Sequence, residues 1–392
     1  MQADDMAKKK MGYWDGMPTV WAGVGERRRR GLRILPINKG YFVHVTSRTA
    51  RQAFLFGDEE KRMFVRMMRK WASFSGLSVI TYCLMDNHFH VMLWVPAAVS
   101  LDHASVLDRL GKVWPEDKVR AWEDFYQNQS EECKSCMEEA VVARMANLPE
   151  FMRVLKQSFT CWYNRKEGLS GVLWDARYRS VVVEDSPLAL MSVAAYIDLN
   201  PLRAGMVQDP MTYAWSGYGS AIKGDELSQQ GLKQLVCLSR GHQPYIAEKV
   251  RRKQLRTSGV SGQEMGKTLS REQHKREAPA HWKEVQAAYR IWLVNKGTSQ
   301  AHMPKGSRRF KHRKGMDPVA VIAEYEKQGV VPLTASLQYQ MKTFTCGVAV
   351  GSASFLEELM AAYRSCFGPD RKQAGRRVKG VVSLWQSLRQ VD

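Results

Sequence analysis

The sequence predicts an α+β protein, and three observations predict it. Short runs rich in β-branched and aromatic residues alternate with apolar patterns of helical period. One such run, from Thr81 to Trp94, is punctuated by Asp86-Asn87 and reads as two paired strands. A Ser186-Pro187 pair opens an apolar stretch as a helix start, with Pro at the first helical position. Taken in order, residues 39–47 read as a strand and 58–75 as a helix. Residues 77–85 and 88–95 follow as the paired strands, then a helix near 150–166 and a strand near 178–184. Residues 187–200 form a last helix, which Pro201 stops by disfavouring helix at Asn200. The order is β-α-β-β-α-β plus a terminal helix.

Within the second paired strand stands His88-Phe89-His90. Residues i and i+2 of a strand share a face, so the two imidazoles point one way and Phe89 the other. Two neutral nitrogen donors so placed either share one divalent ion or face water and polar partners. On the last helix Tyr196 and Asn200 are four apart and share a face. Facing the histidines, the phenol is a nucleophile and the amide oxygen a third metal ligand. Facing inward, Tyr196 packs in the core and Asn200 caps the helix. A third segment, Gly171 to Glu184, is a turn carrying Trp174 that runs into a strand. Arg177 and Arg179 share one face of it, with Tyr178 opposite. These residues suit phosphate contacts or base stacking, but a single arginine pair is more often an ordinary solvated strand face.

Composition narrows the partner. Lysine and arginine number 59 against 39 acidic residues, a net charge of +20, which points to a polyanion. The hydrophobic fraction of 44% allows a substantial core in 392 residues. No run of about 18 apolar residues predicts a membrane span, and Met1-Gln2-Ala3-Asp4-Asp5 lacks a secretory pattern. Seven scattered cysteines fit a reduced cytoplasm better than a disulfide framework. Cys133-Lys134-Ser135-Cys136 reads as an ordinary helix-borne pair, since no second pair lies near it.

The flanks are basic and irregular. Residues 1–37 form a leader with Lys8-Lys9-Lys10 and Arg27-Arg28-Arg29-Arg30, suited to follow a phosphate backbone. Residues 97–149 are an acidic helical insertion with Trp114, Trp122, Phe125 and Tyr126, packed on the main domain. Residues 221–300 read as a helical accessory region, and 301–318, with Arg308 and Arg309, as a basic linker. Residues 319–392 form a C-terminal accessory segment with an apolar-periodic helix through Tyr363. Gly347 to Ser352 lacks phosphate-loop spacing. The C-terminal region is predicted to be mainly helical and to hold DNA through its basic runs.

Together, His88-Phe89-His90, the run Tyr82 to Asn87 before it, Tyr196 to Gly205, and Tyr41 to Arg48 resemble one family. It is that of the single-tyrosine HUH transposases, most closely the REP-associated tyrosine transposases of bacteria. The resemblance covers roughly residues 38–220, interrupted at 97–149. It implies a ferredoxin-like α+β domain with an antiparallel sheet. It implies Tyr196 as nucleophile, His88 and His90 as metal ligands, and Asn200 as the third. The implied metal is Mg²⁺ or Mn²⁺, which polarises the scissile phosphate and neutralises the departing oxygen. The implied substrate is single-stranded DNA in imperfect, REP-like hairpins with a short flanking tag. The product is a 5′-phosphotyrosine link, which stores the cleaved end for rejoining. Arg48, Arg165, Arg177, Arg179, Arg203, Arg308 and Arg309 are the predicted DNA contacts.

Two further readings share these residues. A domesticated hairpin-binding protein would keep the charge and the aromatics without cleaving. A replication initiator or relaxase would keep the two-histidine site, but here Tyr196 leads into Asn200-Pro201 with no second tyrosine adjacent. The chain is predicted to work as a monomer or a homodimer, with the tyrosine helix completing its own site or a partner's.

Overall fold

The computed structural model describes residues 40–97, 100–240, 281–297, 347–364, 376–377 and 385–388. The predicted 1–37 leader and 301–318 linker, with Arg308 and Arg309, lie outside the described residues.

The α+β reading holds, with a ferredoxin-like core. Strand β1 (Tyr41–Arg48) leads to helix α1 (Asp58–Ser75), then the hairpin β2 (Ser78–Leu84) and β3 (His88–Val95). Helices α2 (His103–Gly111), α3 (Glu116–Gln127) and α4 (Glu131–Val142) form the insertion. Helix α5 (Leu148–Glu167), strand β4 (Arg179–Val183) and helix α6 (Pro187–Asp198) follow. The first four strands lie in the order β2-β3-β1-β4, and every neighbouring pair is antiparallel. The β2–β3 hairpin closes where the Met85 N–H donates to the His88 carbonyl across Asp86-Asn87 (2.8 Å).

Alternation along the strands gives the sheet two apolar faces. Val43, Val45, Phe89, Val91 and Leu93 bury one face against α1 and α5. The insertion packs into that same core through Val106, Leu110, Trp122, Met137 and Val141. Phe42, Met92, Val181 and Val183 point the other way, against α6.

Beyond α6 come a short turn of helix, α7 (Asn200–Arg203), then α8 (Gly217–Ile222), α9 (Glu226–Arg240) and α10 (Trp282–Gly297). Leu232, Leu235, Val285, Tyr289 and Leu293 join the α6 core, so the helices of the 221–300 region cover the same face of the sheet. Gly231 permits the approach of α9 to β2, because a β-carbon there would stand 2.4 Å from the Ile80 carbonyl oxygen.

The C-terminal segment holds its predicted helix, α11 (Ala353–Ala362), and also strands that the sequence reading did not anticipate. These are β5 (Ala349–Ser352), β6 (Arg376–Arg377) and β7 (Trp385–Leu388). They extend the sheet to β2-β3-β1-β4-β5-β7-β6, with β5 parallel to β4. Glu184 secures this join: its carboxylate accepts from the Ser352 N–H (2.9 Å) and hydroxyl (2.7 Å).

A second difference lies at Pro201. The helix does not simply stop at Asn200. It ends at Asp198, and α7 begins at Asn200 with Pro201 in its first turn. Proline is tolerated there because the N–H it lacks would have no intrahelical partner.

Candidate active site

Strand register builds the site. Arg48 lies directly opposite His88, and Thr46 opposite His90. Thr46 is also opposite Arg179, and Cys83 opposite His90. Directly opposed residues share a face, so Cys83, His90, Thr46 and Arg179 form one row across the sheet. His88 and Arg48 form the next row, and His44 stands on the same face two residues before Thr46.

The tyrosine helix closes over these rows. Tyr196 is 7% exposed, and its ring lies edge-on to His90 at 5.6 Å and to His44 at 5.8 Å between centroids. His88 and His90 meet at 5.1 Å.

Hydrogen bonds fix the rings. The Asn87 amide nitrogen donates to the Gln52 carbonyl (3.1 Å), which turns its Oδ1 toward His88 Nδ1 (2.7 Å). His88 therefore donates from Nδ1 and keeps its lone pair on Nε2. His90 Nδ1 meets His44 Nε2 at 3.0 Å. Burial, and then the Arg48 cation, push the His88 imidazole down to about 4. Burial, then His44, His88 and Arg48, hold His90 well below the ordinary range. Both rings are thus neutral at pH 7, the state that ligates metals.

The turn ahead of His88 is tied to α1 by Lys61 Nζ on Asp86 (2.6 Å). Helix α6 is held at its end by Asp198, which is fully buried. Its carboxylate accepts from Thr81 Oγ1 (2.9 and 3.0 Å), the Tyr289 hydroxyl (2.6 Å) and the Tyr218 N–H (3.1 Å). Burial pushes Asp198 up to about 7 against the lowering effect of those donors.

The remaining predicted residues divide. Arg203 lies over the Tyr196 ring at 5.5 Å and donates to the Tyr196 carbonyl. The Asn200 amide nitrogen donates to the carbonyls of Tyr196 (2.9 Å) and Ile197 (3.2 Å). Among the described residues, no hydrogen bond joins Asn200 to His88 or His90. Arg48, Arg177 and Arg179 are exposed, while Tyr178 is buried on the opposite side. Arg165 is exposed in the last turn of α5, beyond the other face of the sheet.

Trp174, on a turn whose residues suit base stacking among other readings, packs inward. Its ring lies 5.6–6.3 Å from Phe56, Phe64, Phe89 and Phe159, and its N–H donates to Thr160 Oγ1 (2.9 Å). A large ring in a Gly-led turn gains more from that aromatic cluster than from solvent.

Sequence reasoning missed His44. A lone histidine in an apolar strand carries no signal until the register sets it beside His90. It gave no sign either that Cys83 is the cross-strand neighbour of His90. The thiol is buried and points to Met85 Sδ (3.6 Å), and burial holds it well above its usual range. Among the described residues, no group of three or more histidine, cysteine or carboxylate side chains is arranged to hold a metal ion. The implied donor set of two histidines and an amide contains only two such side chains.

Comparison with known proteins adds little to this geometry. No protein-family model matches the chain, and no curated protein matches it. One matching solved structure is a REP-associated tyrosine transposase bound to a REP hairpin. It is 12% identical, covers 51% of this chain and 86% of that one, and has a TM-score of 0.31. Among the described residues, no helix is long and apolar enough to cross a membrane.

Proposed function

We propose that this chain is a metal-dependent single-stranded DNA endonuclease and strand transferase of the HUH, transposase-like class, working in the cytoplasm. The observation that carries the reading is the placement of the Tyr196 ring 5.6 Å from His90, on the face shared by His88, Arg48 and Arg179. The sequence resemblance of the segments around these residues supports the same reading.

In this reading His88 and His90 would hold a Mg²⁺ or Mn²⁺ ion, with the side-chain amide oxygen of Asn200 as third donor. The chemistry of the donor set fits, because both rings are neutral and both Nδ1 atoms are already hydrogen-bonded. When bound, the ion polarises the scissile phosphate. Arg48 and Arg179 bind and orient the phosphate backbone from the same face. Tyr196 Oη attacks phosphorus, a Tyr–O–P bond forms, and the bond from phosphorus to the 3′ oxygen breaks. The phenolic proton is balanced by the proton gained on the new 3′-hydroxyl. The aryl phosphodiester keeps the energy of the broken bond for rejoining. The substrate is a hairpin with an unpaired flank.

The test is a denaturing gel of the protein with labelled single-stranded hairpin DNA and Mn²⁺, wild type beside Tyr196→Phe. Wild type is expected to give a slow-migrating covalent adduct, and the variant none. Cutting by the Phe variant would refute Tyr196 as nucleophile.

A further inference from the structure

We infer that the paired loops 49–57 and 168–178 form a binding surface for unpaired nucleotides, with Phe54 as a base-stacking platform beside the proposed cleavage site. The inference rests on the proposed nuclease reading and places the unpaired flank of its substrate.

Exposed apolar side chains are the first ground. Phe54 is 79% exposed, Val172 88% and Leu169 58%. Scattered singly, such residues need no explanation. Here three of the five large exposed hydrophobics among the described residues fall on two loops that are bonded together. The Ala50 N–H donates to the Leu173 carbonyl (2.9 Å), and the Asp175 N–H to the Arg48 carbonyl (3.0 Å). Thr49 and Trp174 form a β-bridge between them.

The first loop is also strained. Arg51 and Gln52 sit at φ 55° and 57°, consecutive left-handed positions without glycine. Such conformations persist only where the surroundings enforce them, and they cluster at functional sites. The enforcement is visible. Thr49 Oγ1 donates to the Ala53 carbonyl (2.7 Å), and the Asn87 amide donates to the Gln52 carbonyl (3.1 Å). Asn87 is the residue that orients His88, so the loop bearing Phe54 is bolted to the site's own turn.

Charge selects the occupant. Arg48, Arg177 and Arg179 are exposed at the roots of the same loops, and Arg51 is exposed within one. Exposed guanidinium groups on the same two loops as an exposed aromatic ring match a strand whose phosphates are anionic and whose bases offer free π-faces. A duplex hides those faces by stacking, and an apolar protein surface would not match the arginines. The occupant is therefore unpaired DNA.

The experiment uses full-length protein carrying Tyr196→Phe, so that binding is read without cleavage. The probes are a hairpin with a 2-aminopurine in its unpaired flank, the same hairpin with a blunt end, and an unstructured single strand. Stacking on Phe54 should quench the 2-aminopurine. Phe54→Ala should abolish the quench and weaken flanked-hairpin and single-strand binding by about tenfold or more. Phe54→Trp should retain both, and blunt-hairpin affinity should be the same in all three. Equal quench and equal affinity in Phe54→Ala would overturn the inference. So would a change confined to the oligomeric state by sedimentation, which would make the patch a contact between copies of the chain. Loss of the quench in Phe54→Ala without any wild-type adduct would keep this surface and sink only the nuclease reading.

Discussion

His44 shows how one imidazole can set another. Its Nε2 lies 3.0 Å from His90 Nδ1, and it is 1% exposed. A hydrogen bond at one ring nitrogen fixes the ring and decides which nitrogen is left for a ligand. In the proposed site, His44→Ala should lower Mn²⁺ affinity by roughly 10–100-fold, with partial recovery in His44→Gln. Isothermal titration of each protein with Mn²⁺ measures this. Unchanged affinity would mean that the pair does not orient His90. At this scale the sequence showed the shared face of His88 and His90 through a two-residue spacing. It hid His44 and Cys83, because their nearness depends on register between strands far apart in the chain.

At the scale of elements, the question is what holds the tyrosine helix over the sheet. Asp198 ties the end of α6 to β2 through Thr81, to α8 through Tyr218, and to α10 through Tyr289. Asp198→Ala would leave those buried donors unmatched and cost about 2–4 kcal/mol, read as a lower urea midpoint. Full stability in that variant would mean that the donors find other partners. A second tie joins α1 to the start of α9, where Arg69 binds Asp225 at 2.5 and 2.8 Å. Burial alone would raise the Asp225 pKa, but hydrogen bonds from Ser228 and Arg69 together bring it below the ordinary 3.8. Its contribution is therefore present above pH 3.8 and lost as pH falls through the folded value. Asp225→Asn should be less stable than wild type by about 1 kcal/mol at pH 6, with the gap closing toward pH 2. A constant gap across that range would remove the carboxylate as its cause. Helix period and the Ser-Pro start made α6 legible from sequence. Its anchors were not, since Thr81, Tyr218 and Tyr289 reach Asp198 from three other elements.

The whole molecule carries +20, and the proposed partner is a polyanion. Affinity for single-stranded DNA should fall steeply with salt, by about 0.7 in the logarithmic slope for each phosphate neutralised. A flat dependence between 50 and 300 mM salt (roughly the range over which such contacts are lost) would mean the charge is not used on DNA. The order of the first four strands was legible because each local period agreed with it. The last three strands were not. They are two to four residues long and find their partners across long stretches of chain. Their attachment bears on any shortened version of this protein. The N–H groups of Val182 and Glu184 now donate to the carbonyls of Val348 and Val350. A chain ending before Val348 would turn β4 into an open edge, ready to recruit the same edge of another molecule. Precipitation or strand-exchanged dimers would then mimic a loss of DNA recognition.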